Sequence, residues 1–108
     1  MSATRCDDKL IQYEDAFMYH CDQPASPENV EKMVTFSVLY SEALMDEEQA
    51  SYIHLGKRVD QLKKNAKILL ECRMKLRFEY HLGGPIIDAI DKTRASIKDF
   101  AQLHSTDL

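Results

Sequence analysis

Between Pro27 and Gly83 the chain contains a single glycine, Gly56, and no further proline. Those two residue types are the ones that end helices. Nothing in this stretch therefore has to stop a helix begun at Pro27 before Gly83-Gly84-Pro85. Taken whole, such a helix has about 55 residues and reaches roughly 80 Å at 1.5 Å per residue. That is far beyond the length of ordinary globular helices, so the segment either breaks or pairs as a coiled coil.

Its start is sharply marked. Ser26 can accept from the free N–H groups of a first turn, Pro27 suits the first helical position, and Glu28 suits the positive end of the helix dipole. Two breaks are on offer. Asp46 with Gln49 three residues on is a capping-box variant; Gly56 is the other, although one glycine costs only about 1 kcal/mol in a helix. Val30 to Met45 is apolar on more than one face, as expected of a helix central in its bundle. Thr35 to Tyr40 is strand-like in composition, but a lone strand has no partner, so helix is retained.

From Tyr52 onward Tyr52, Leu55, Val59, Leu62, Ala66, Leu69, Arg73, Leu76 and Tyr80 alternate by threes and fours, the a/d seam of a left-handed helix pairing. Ile53, Leu70, Met74 and Phe78 lie off that seam, which gives the helix a second apolar row. Glycine past the helix end and Pro85 at the next start make a firm stop. The last helix, Pro85 to about Leu103, must fold back antiparallel across so short a connection. A shorter first helix, from about Asp7 to His20, carries Leu10, Tyr13, Phe17 and Cys21 on one face. The expected architecture is a single all-α domain over residues 1–108, with 1–6 and 105–108 frayed. It is an antiparallel bundle or coiled-coil-like hairpin of three to four helices with a long central one. With the Asp46 break the helices have about 15, 18, 35 and 19 residues, and the third overhangs the others.

The net charge of −4 conceals an asymmetry. Residues 1–50 hold eleven acids and three bases; residues 51–108 hold eleven bases and seven acids. Lys57, Arg58, Lys63, Lys64, Lys67, Lys75 and Arg77 form a candidate anion-binding set. Against nucleic acid stand the scatter of these bases over most non-seam positions and a pI of about 5.5, well below the basic range of nucleic-acid binders. Acids of the first half set against bases of the second fit the pattern better. Arg73, alone and charged in the seam, is expected to pair with a first-half carboxylate.

Cys6, Cys21 and Cys72 are odd in number and widely spaced, which favours reduced thiols and a cytoplasmic setting over a disulfide scaffold. No run of 18 apolar residues spans a membrane, and Met1 to Asp8 lack the basic-then-apolar order of a secretory signal. There is no C-x-x-C, H-x-x-x-H or E-x-x-H spacing for a metal, and no G-x-S-x-G, P-loop or G-x-G-x-x-G. The expectation is a chain with no cofactor, no metal and no enzymatic activity. It acts as a helical protein–protein interaction module (adaptor, small chaperone or assembly subunit) that forms a homodimer or a hetero-complex with another helical protein. Tyr52, Leu55, Val59, Leu62, Leu69, Arg73, Leu76 and Tyr80 are the expected partner-binding residues, with the Leu70 row as the alternative. A nucleic-acid-associated protein using 57–77, and an acidic regulator or inhibitor acting through Glu42, Asp46, Glu47 and Glu48, are the competing readings.

Overall fold

The computed structural model describes residues 8–104, and all regular structure among them is helical. The expected fraying of 1–6 and 105–108, and the role given to Asp7, lie outside the described residues. Five helices follow one another: α1 (Lys9–Cys21), α2 (Pro27–Met45), α3 (Glu47–Ala50), α4 (Leu55–Met74), continued by a wider π turn (Lys75–Glu79), and α5 (Pro85–Leu103).

The helix starts follow local chemistry. Asp8 caps α1 by accepting from Leu10 N–H at 2.9 Å. Ser26 Oγ accepts from Asn29 N–H at 3.1 Å with Pro27 at the first position of α2. Asp46 accepts from Glu48 N–H and from the Gln49 side-chain amide, so the cap read from the sequence is present, but the Asp46 N–H bonds to Ala43 O and the reciprocal half of the box is not formed. The helix Asp46 opens is only one turn long. His54 then caps α4 through Nδ1, which accepts from Gly56 N–H at 3.1 Å. The Asp46 break is present, Gly56 itself lies inside α4 while a second break falls just before it between Ala50 and Leu55, and the expected count of three to four helices is corrected to five. The expected 35-residue third helix is instead a four-residue turn and a helix of 20 residues extended by 5.

At the end of that helix Tyr80 N–H bonds to Lys75 O and Leu82 N–H to Leu76 O. The residue that turns the chain is His81, with φ of +57°. Glycine usually takes this left-handed position; the glycine read for the stop, Gly84, instead precedes α5 with φ of +78°.

Successive long helices run antiparallel, as the cross-links fix. His20 meets Asn29 between α1 and α2, Ser41 meets Asn65 between α2 and α4, and Arg73 meets Asp91 while Ala66 meets Arg94 between α4 and α5. α2 packs against α1, α4, α5 and α3. It buries Val30, Val34, Ser37, Tyr40, Ser41, Ala43 and Leu44. Phe17 from α1, Leu62, Leu69 and Leu76 from α4 and its π turn, and Ile90 and Ile97 from α5 complete the core. Each such side chain contributes about 1.5–3 kcal/mol by leaving water.

Leu69→Ala is expected to destabilise the fold by about 2–5 kcal/mol, the range for a fully buried leucine. Ser26→Ala is expected to cost about 1 kcal/mol. His81→Gly is expected to stabilise by up to about 1 kcal/mol by relieving the left-handed backbone. Urea denaturation followed by circular dichroism measures all three.

Candidate protein-binding face

The four histidines sit at a helix contact, a cap, a turn and a helix end. His20 Nδ1–H donates to Asn29 Oδ1 at 3.0 Å, and its ring stacks on Phe36 at 5.5 Å. His54 is a helix cap, His81 a turn residue, and His104 packs on Phe100. Among the described residues no group of three or more His, Cys, Asp and Glu is placed to hold a metal ion. Cys21 and Cys72 are free thiols lining one small cavity between the end of α1, α2 and α4; Cys6 lies outside the described residues. Burial pushes the Cys72 thiol up to about 11, with Cys21 adding to the effect, and burial likewise raises Cys21. Neither has the low-pKa setting of a nucleophile. No described helix is long and apolar enough to cross a membrane.

The expected partner-binding seam sits largely inside the chain. Val59, Leu62, Leu69 and Leu76 are buried, and Leu55, Arg73 and Tyr80 are half-buried. The seam that periodicity located packs on α2 and α5 of its own chain, because the double break and the hairpin bring those helices onto it. Tyr52 is exposed, and its hydroxyl donates to Asp8 at 3.0 Å. Arg73 pairs with Asp91 of α5 at 2.8 and 3.2 Å, so the expected first-half carboxylate is corrected to a second-half one. That hydrogen bond holds the Asp91 carboxyl below its ordinary range.

The anion-binding set is also revised. Arg58 is 3% exposed, donates to Leu44 O and to both carboxylate oxygens of Glu47, and lies over the Phe100 ring. It is therefore withdrawn from any external anion. Lys75 is half-buried and bridges to Glu79 at 3.5 Å. Lys57, Lys63, Lys64, Lys67 and Arg77 remain exposed.

What faces water is the second apolar row. Leu70, Met74 and Phe78, four residues apart, are 40%, 51% and 68% exposed. Leu70 and Met74, four apart on α4, fall on one side, turned away from the buried Leu62 and Leu69, and Phe78 follows exposed in the π turn. Lys63 and Lys67 share the Leu70–Met74 side by the same spacing, and Arg77 is exposed in the π turn beyond it. Beside Lys63, a groove of about 740 Å³ runs between α4 and α5, floored by Ala66, Ala95, Ala101 and Ile97 and edged by Arg94 and Lys98. Arg94 is held there by donating to Ala66 O at 3.1 Å. Sequence reasoning found the row but not the groove, whose alanines carry no periodic signal.

Cys72 is expected to react with iodoacetamide at least about tenfold more slowly in the native protein than in urea, because the raised pKa suppresses its thiolate. The neutral thiol favours the fold, so the stability it contributes is intact below the ordinary thiol value and is lost between 9 and about 11. Mass spectrometry of the labelled peptide across pH measures both. No known family model, curated protein or solved structure matches this chain.

Proposed function

We propose that the chain is a non-enzymatic helical interaction module whose outer α4 face receives another protein helix. The observation that carries this reading is the row of Leu70, Met74 and Phe78, three large apolar side chains exposed together on the side of α4 that faces away from its own core. Exposing one such residue is ordinary; a contiguous row rimmed by charge is a mark of a binding surface. Helix pairing is the natural mode, since anchors at i, i+4 and i+8 match one face of a partner helix. Adaptor, small chaperone and assembly subunit all operate this way. The free thiols of Cys21 and Cys72 suit a reducing compartment such as the cytoplasm.

The test is capture from the native source with tagged wild-type chain against a Met74→Ser/Phe78→Ser double variant. Retention of the captured protein is expected to fall at least about tenfold, equivalent to about 1.4 kcal/mol. The double variant's own stability is expected to stay within about 0.5 kcal/mol, because the substituted side chains are on the surface. Equal retention by both proteins would remove the reading. The exposed Lys57, Lys63, Lys64, Lys67 and Arg77 favour a second reading, binding to nucleic acid. A gel shift that weakens steeply with salt would carry it.

A further inference from the structure

Among the described residues one ion pair, Glu47 with Arg58, joins the acidic and basic halves of the sequence; Arg73 with Asp91 and Lys75 with Glu79 lie within the second half. Part of the exposed charge lies on two faces of opposite net sign, each of which exposes large apolar side chains, although Glu71, four residues after Lys67, is an exposed acid beside the basic one.

One face is on α1. Asp15, Met18, Tyr19 and Asp22 are exposed and recur at helical spacing, on the side away from the buried Leu10 and Phe17. Met18 and Tyr19 are 56% and 60% exposed. The other is the α4 face, where Lys67 and Arg77 bracket Leu70 and Met74. Along their helix Asp15 and Asp22 are set about 10 Å apart, and along theirs Lys67 and Arg77 about 15 Å apart. The long basic side chains can close that difference while their stems lie on apolar surface.

We infer that the acidic α1 face of one copy of this chain docks on the basic α4 face of a second copy. Met18 and Tyr19 cover Leu70 and Met74, and Asp15 and Asp22 meet Lys67 and Arg77. The two complementary surfaces belong to one polypeptide and so are always present in equal amounts. A two-fold pair makes the contact twice, whereas an open arrangement propagates it into longer oligomers. This inference rests on the reading of the α4 face as a protein-binding surface and names its occupant.

Sedimentation equilibrium of the full chain over a concentration series tests it. At about 0.01 M salt the wild type is expected to exceed the monomer mass, and at about 1 M salt, where the screening length falls to about 3 Å, to return to it. Asp15→Lys/Asp22→Lys and Lys67→Glu/Arg77→Glu are each expected to be monomeric at low salt. Mixing the two restores opposite charges across the contact and is expected to recover the higher mass. Circular dichroism of each variant establishes that it is folded. A wild type that stays monomeric at low salt overturns the inference, as do folded variants that associate like the wild type. If the wild type is monomeric yet its captured protein is lost on Met74→Ser/Phe78→Ser, the second copy is the wrong occupant and the α4 face still binds protein. If neither is seen, both readings fall.

Discussion

The packing of four helices on α2 is the constraint on which the remaining structure depends. α1, α3, α4 and α5 all pack on this helix. Its apolar residues accordingly cover more than one face between Val30 and Leu44, and its exposed polar residues, Glu28, Glu31, Lys32, Thr35 and Glu42, are confined to one strip. Its buried polar residues are small. Ser41 is satisfied because Asn65 Nδ2 donates to it across the α2–α4 contact at 3.1 Å, and Gln61 in turn donates to Asn65 at 2.9 Å. Ser37 Oγ has no such partner among the described residues, a local loss set against the close approach that a small side chain allows. Tyr40 meets the same constraint differently. Its ring packs near Phe17, and burial, with the Glu14 carboxylate beside its hydroxyl, raises its pKa, so it stays a neutral donor.

With α2 packed on by four neighbours, α4 becomes a helix that separates inside from outside. Leu62, Leu69 and Leu76 look inward, and Leu70, Met74 and Phe78 look outward. Each row keeps helical spacing within α4 and runs on into the π turn, so the helix carries two apolar stripes at once. Packing on α2 and α5 absorbs one of them. The other keeps its bases, and function is most economically sought where the fold leaves apolar area uncovered.

Much of this was legible in the residues. Ser26-Pro27, Asp46 with Gln49, and Pro85 each begin a helix where their side-chain chemistry says they should, because caps are local and need no tertiary partner. Periodicity located the seam of α4 correctly but could not say whether its partner was another chain or the same chain folded back. It also held back from breaking the helix near Gly56, since the cap there is His54, a residue outside the usual capping set. The partners of Arg58 and Arg73 were illegible for the same reason. A charged residue at an apolar position announces that a counter-charge must exist, and only the fold says which one. The groove between α4 and α5 left no trace in the sequence, because it is defined by the smallness of Ala66, Ala95 and Ala101.

Arg58 ties one end of the bundle together in a way that bears on how the molecule breathes. A permanently charged guanidinium is buried there, its Nε lacks a partner among the described residues, and its counter-charge comes from Glu47, itself 75% exposed on a single helical turn. One turn of helix has too few internal bonds to persist alone. Yet releasing it strands a charge between α2, α4 and Phe100 of α5, which is costly in a poorly solvated site. The short α3 turn is thus tied to the rest of the bundle twice, by the Glu47–Arg58 pair and by the fully buried Ala50, so its opening is coupled to that of the bundle end.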